Sequence, residues 1–102
     1  MNTKANPAFS IIEVNVKDPD AFQAYVKGHL ATVEQYGGKF LIANSDLEVV
    51  EGEWCPKRIV VHQWPSVEAF KAWYESDAYR PWKALRHQAA ETNVILVEGL
   101  AR

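Results

Sequence analysis

The sequence predicts an α+β domain in which a four-stranded antiparallel sheet carries its helices on one face. Three observations predict it. Runs rich in β-branched residues stand near both ends of the chain, Ala8 to Val16 and Asn93 to Glu98. Two amphipathic helical stretches alternate with strand-like segments in the order β-α-β-β-α-β. The first strand is also asymmetric: Ala8, Ser10, Ile12, Val14 and Val16 are small or apolar, whereas Phe9, Ile11, Glu13 and Asn15 are mixed. That pattern puts the even face under helices and turns the odd face toward a wetter surface.

Each following element has its own local cause. Asp18-Pro19-Asp20 opens a helix, with Asp18 as the cap and Pro19 suited to the first helical position. Phe22, Val26, Leu30 and Val33 recur at helical spacing, with Tyr25, His29 and Tyr36 on the flanks. Gly28 costs helix stability and permits close packing, and Gly37-Gly38 ends the helix. Lys39 to Glu53 reads as one long bent strand, or two short ones, broken near Asn44-Ser45-Asp46. Trp54-Cys55-Pro56 turns the chain into a strand from Lys57 to Trp64. Ser66 caps a second helix whose inner stripe is Val67, Phe70, Trp73 and Tyr74. Ser76-Asp77 interrupts it, and a further helical piece starts near Pro81 with Leu85 inward.

With 102 residues the chain has room for a single domain, with a core from about Ala8 to Gly99. Such a domain hides only roughly 60–65% of its unfolded surface. Its order is that of the ferredoxin-like fold. The sheet face without helices needs a cover, and Ile11, Ile59 and Val61 are candidates for it; a second copy would supply that cover by two-fold pairing. A homodimer is therefore expected.

Charge and composition remove several function classes. The net charge is −2 with no basic stripe, so no nucleic acid is expected as partner. No apolar stretch approaches a membrane span, and the first residues contain no apolar signal core, so no membrane association is expected. Cys55 is the only cysteine, which excludes an intrachain disulfide and fits a cytoplasmic protein. No pair of histidines shows ligand spacing with a carboxylate, so neither a metal nor another cofactor is expected. His29 and His87 read as helix-surface residues, and His87 with Glu91 as a surface pair.

The candidate site residues each carry two readings. His62 is a candidate general base, or a neutral core histidine bonded to a neighbour. Period-two alternation sends His62 and Gln63 to opposite faces, and the sequence leaves open which one faces the barrel. Glu13 is a candidate acid, or an ion-pair partner for Arg58 or Arg86. Tyr79 and Arg86 lie seven residues apart, so one helix face can present both to an oxyanion, a carboxylate or a phosphate. Equally, they can tie the last helix to the sheet or to the other subunit. Trp64 and Trp82 can wall an aromatic slot or pack the core. Tyr25, Arg58, Gln63, Trp64 and Trp82 complete the set as candidate substrate contacts.

Tyr25, Gly37-Gly38-Lys39-Phe40-Leu41, Val50-Glu51-Gly52, Arg58, Trp64-Pro65-Ser66, Ala72-Trp73-Tyr74, Ser76 with Tyr79, Arg86 and Val97-Glu98-Gly99 stand in a distinctive order. In that order the chain resembles the family called domain of unknown function 1330, within the dimeric α/β-barrel superfamily. The resemblance implies the ferredoxin-like fold and the dimer. The superfamily implies cofactor-independent proton-transfer chemistry (isomerase, lyase, lactone or oxygenase-type) on a small molecule. Ala43-Asn44 replaces the family's usual Arg-Gly, Gln63 its usual acidic residue, and His62 a common aliphatic one. The expected function is thus a small-molecule enzyme using a pocket between sheet and helices. In that picture Arg86 and Tyr79 grip an oxyanion, while His62 or Glu13 moves the proton. The alternative is a non-catalytic homodimer that binds a metabolite, and a third reading places haem or flavin in the slot.

Overall fold

The computed structural model describes residues 6–44 and 46–100. Its elements are β1 (Ala8–Val16), α1 (Pro19–Gln35), β2 (Lys39–Asn44), β3 (Ile59–Trp64), α2 (Val67–Tyr74), α3 (Arg80–Ala89) and β4 (Ala90–Glu98). The strands form one sheet in the order β2-β3-β1-β4, every neighbouring pair antiparallel. This is the ferredoxin-like order that the sequence predicts.

Register fixes which side chains share a face. Ser10 pairs with His62 and Leu96, and His62 with Phe40. These positions and Ile12, Val14, Val60, Trp64 and Val94 therefore lie under the helices. Phe9, Ile11, Glu13, Ile59, Val61, Gln63, Asn93, Ile95 and Val97 take the opposite face. There Ile95 is 56% exposed, and Val97 is also open. Between Phe40↔His62 and Ile42↔Val61 the ladder slips by one residue, so Leu41 is the extra residue of a bulge on the edge strand.

The helix ends follow their chemistry. Asp18 Oδ1 accepts from Ala21 N at 3.1 Å, and Pro19 occupies the first turn. Gly37 has φ +87°, the left-handed conformation that lets the chain leave α1. Ser66 Oγ accepts from Ala69 N at 3.1 Å. Ser76 is the hinge between α2 and α3: its hydroxyl donates to Trp73 O at 2.7 Å and accepts from Tyr79 N at 3.1 Å. The core beneath the helices holds Phe22, Tyr25, Val33, Trp64, Phe70, Trp73 and Tyr79.

Four expectations need correction. On α1 the buried stripe is Phe22, Tyr25, His29, Thr32 and Val33, while Leu30 is exposed. Polar groups on this stripe are tolerated because they are bonded within the helix, His29 Nδ1 to Tyr25 O at 2.8 Å and Thr32 Oγ1 to His29 O at 2.7 Å. No strand continues through residues 46–53, because β3 begins at Ile59 and its pairing with β2 ends at Asn44. The side chains of Leu47, Val49, Val50 and Trp54 in this segment are exposed. β4 starts at Ala90, three residues early, because β1 runs on to pair Val16 with Ala90. Finally, Glu91 pairs with Lys17 and not with His87, which accepts instead from Arg86.

Candidate functional site

An apolar cavity of about 140 Å³ lies between the sheet and α1. Its floor is Ile12 and Val14 of β1, Val60 and His62 of β3, and Phe40 and Ala43 of β2. Phe22, Tyr25, Val26 and His29 of α1 roof it, and Arg58 and Arg86 close its sides. Arg58 packs its guanidinium over the Phe22 ring, 5.5 Å from the centroid. For scale, an apolar cavity of about 150 Å³ takes one benzene ring.

The polar groups come from three elements. Arg86, in the last turn of α3, donates from Nη1 to the Tyr79 hydroxyl at 2.9 Å. The Tyr79 hydroxyl lies 2.7 Å from that of Tyr25. Arg86 is 3% exposed, and its Nε has no hydrogen-bond partner. The ion pairs of the described residues, Lys17–Glu91 and Arg80–Asp77, do not involve it. Burial opposes the Arg86 cation, but the surrounding tyrosine oxygens outweigh it and raise its pKa. The same burial raises the pKa of Tyr25 and Tyr79, so both phenols stay neutral.

The histidines are buried side by side, ring centroids 6.5 Å apart. His62 Nδ1 lies 2.9 Å from Ser10 Oγ, and Ser10 Oγ accepts from Trp64 Nε1 at 2.9 Å. His62 Nε2 is buried and without a partner. Burial pushes the His62 pKa down to about 4, with a smaller contribution from His29. His29 stacks on Tyr25 at 4.0 Å. Its pKa is also lowered, chiefly by burial and further by the Arg86 charge, although backbone hydrogen bonds oppose the shift.

The structure brings together His62, Tyr25, Arg58, Tyr79 and Arg86, all under the helices. Glu13 and Gln63 are on the opposite face. Glu13 accepts from Trp54 Nε1 at 3.3 Å and Asn93 Nδ2 at 3.1 Å, so it is held by amide and indole donors and not by an arginine. The alternation question at His62 and Gln63 is thereby answered: Ile59, Val61 and Gln63 share the helix-free face. Trp64 is fully buried core, and Trp82 packs against Gly28, so the two do not form a slot. Sequence reasoning missed His29, although its four-residue spacing from Tyr25 placed it one step from the core stripe. It also missed Ser10, a small polar residue on an otherwise apolar face. Among the described residues no cluster of three His, Cys, Asp or Glu side chains is placed to hold a metal ion. Among the described residues no helix is long and apolar enough to cross a membrane.

Comparison with known proteins agrees with this architecture. Residues 7–100 match the family described as "Domain of unknown function (DUF1330)". No curated protein matches the chain. A protein of unknown function from Rhodopseudomonas palustris is 23% identical with a TM-score of 0.75, covering 99% of this chain and 88% of that one. SnoaB, a cofactor-independent oxygenase from Streptomyces nogalater, is 13% identical with a TM-score of 0.69, covering 96% and 97%. A dimeric ferredoxin-like protein of unknown function from Jannaschia is 7% identical with a TM-score of 0.67, covering 91% and 99%. At these identities the likeness is one of fold.

Proposed function

Because this chain belongs to the DUF1330 family, whose description states no reaction, we propose a function from the site itself: a cofactor-independent enzyme that moves a proton on a ring-sized molecule held as an oxyanion at Arg86. One observation carries the proposal. A buried guanidinium with an unpartnered Nε, and no carboxylate partner among the described residues, lines an apolar cavity about the size of one ring. A buried cation is costly unless it is paired, and an anionic ligand or intermediate supplies the missing charge. Tyr79 and Tyr25 hold the guanidinium in place. An oxyanion in so dry a site gains more from fixed donors than it would in water. The shared fold with a cofactor-independent oxygenase supports the same class of chemistry.

The experiment is proton exchange in heavy water. Small cyclic enolisable ketones are incubated with the protein, and loss of the α-C–H signal is followed by NMR. Exchange above background that vanishes in Arg86→Met is the expected result. Anion binding at Arg86 without any exchange would sink the enzymatic reading in favour of a metabolite-binding protein.

We further propose a cytoplasmic homodimer that stacks the helix-free faces, where Ile11 lies between Val61 and Ile95 in the ladder. The dimeric ferredoxin-like neighbour supports the dimer.

A further inference from the structure

The two buried histidines make different hydrogen bonds, and those bonds assign different protons to them. His29 Nδ1 faces the carbonyl oxygen of Tyr25, which can only accept, so Nδ1 carries the hydrogen. In the neutral ring Nε2 is then the lone-pair atom. At His62 the order is reversed. Ser10 Oγ already accepts from Trp64 Nε1 and is fully buried. Its own proton needs an acceptor, and His62 Nδ1 at 2.9 Å is the one at hand. The opposite assignment, Nδ1–H donating to Ser10, strands a buried hydroxyl proton at a substantial cost. The relay Trp64 N–H to Ser10 O–H to His62 Nδ1 therefore leaves the hydrogen on His62 Nε2. That atom is buried and unpartnered on a residue lining the cavity.

We propose that the pocket takes a planar, monocyclic carbon acid such as a cyclic enolisable ketone, with His29 Nε2 as the base and the His62 Nε2–H as an oxyanion donor beside Arg86. This deepens the function proposed above and rests on it. The substrate's α-C–H bond breaks and the proton goes to His29 Nε2. The electron pair moves into the ring as an enolate, whose oxygen accepts from His62 and Arg86. Return of the proton to the same carbon completes an exchange, and in a β,γ-unsaturated ketone its return to the γ-carbon of the dienolate completes an isomerisation; neither needs an oxidant or reductant. Ser10 and Trp64 are positioning residues that hold the His62 tautomer. Among the described residues, the other titratable groups that line the cavity or bond to its lining are Tyr25, Tyr79 and Arg58, none of which is an anion when the phenols are neutral. An imidazolium at His29 is therefore balanced by the enolate it creates.

Two measurements test this. Nitrogen-15 long-range correlation spectra of the wild-type protein report the tautomers directly. The expected result is Nδ1–H at His29 and Nε2–H at His62; the same tautomer at both overturns the assignment. The second measurement uses 4-nitrophenol, a ring-sized acid whose phenolate is coloured, as a stand-in for the enolate. In wild type it binds as the phenol and ionises internally. The bound dye is then yellow, and its affinity is flat with pH below the dye's own pKa. His29→Asn keeps the amide donor to Tyr25 O but removes the base. Its affinity should fall about tenfold for each pH unit below the dye's pKa, since the proton must now be released to solvent. His62→Phe should weaken binding roughly ten- to a hundredfold, and His62→Gln, whose amide N–H reaches where Nε2–H stood, should restore most of it. A His29→Asn profile as flat as wild type, with Arg86 still required, overturns the assignment of the base while the anion site stands. Equal dye binding by wild type and Arg86→Met overturns both.

Discussion

The indole of Trp82 fills the space that a side chain on Gly28 would need, so α1 and α3 meet through a glycine and the flat face of a tryptophan. A Cβ on Gly28 would overlap three of the indole's ring carbons. This close approach brings α3 down beside α1, and with it Arg86 to the edge of the cavity that Tyr25 and His29 roof. Alanine at position 28 would gain about 1 kcal/mol of helix propensity. Overpacking against the indole costs about 1–3 kcal/mol. Gly28→Ala is therefore expected to destabilise the protein in urea unfolding. In a Trp82→Ala background the clash is gone, so the same substitution should become neutral or stabilising.

Arg86 links stability to ligand binding. Its Nη1 donates to the buried Tyr79 hydroxyl, and the surrounding tyrosine oxygens favour its charge. Arg86→Met removes that bond and is therefore expected to melt no higher than wild type when no ligand is present. Stabilisation by ring-sized anions should be lost in the same variant. A ligand at about 100 times its Kd adds about 2.7 kcal/mol to wild type. A variant that still responds to anions as wild type does would contradict this account of the residue.

The lowered pKa of His62 makes stability depend on pH. Its folded value of about 4 lies below the ordinary 6.5, so between these values the unfolded chain binds more protons than the folded one. Stability is thus fully present above pH 6.5 and is lost as the pH falls toward 4. The loss is on the order of 3 kcal/mol for this group alone, at about 1.4 kcal/mol per pKa unit. His29, shifted in the same direction, adds to it. His62→Gln should flatten the slope of unfolding free energy between pH 6.5 and 4 relative to wild type, whatever its absolute stability. An unchanged slope would show that His62 does not titrate low.

The helix-free face predicts the oligomeric state. Ile95 and Val97 on β4 and Ile42 on β2 are exposed there, alongside Ile11 and Val61. Wild type is expected to sediment as a dimer, with a Tm that rises with protein concentration. Ile95→Glu puts a charge in the middle of the face and should give a monomer. A wild-type monomer at all concentrations would remove the sheet-to-sheet arrangement.

Much of this molecule was written locally in its residues. The caps at Asp18 and Ser66, the stop at Gly37, the break at Ser76 and the alternation along β1 depend on neighbours a few positions away, and short-range chemistry decides them. So the strand and helix order, and with it the fold, followed from the sequence. Lys39 to Glu53 did not follow, because a strand exists only where a partner strand lies beside it, and β3 supplies none before Ile59. His29 looked like a surface residue because its place inside depends on a hydrogen bond to Tyr25 O and on the sheet packed beneath α1. The face taken by His62 depended on the pairing of Ser10 with His62, a contact between residues 52 positions apart. Local chemistry thus determined the elements, whereas the tertiary structure alone decided which nitrogen of each histidine faces its partner and which arginine nitrogen is buried without one. Those properties belong to groups brought together from distant parts of the chain and removed from water.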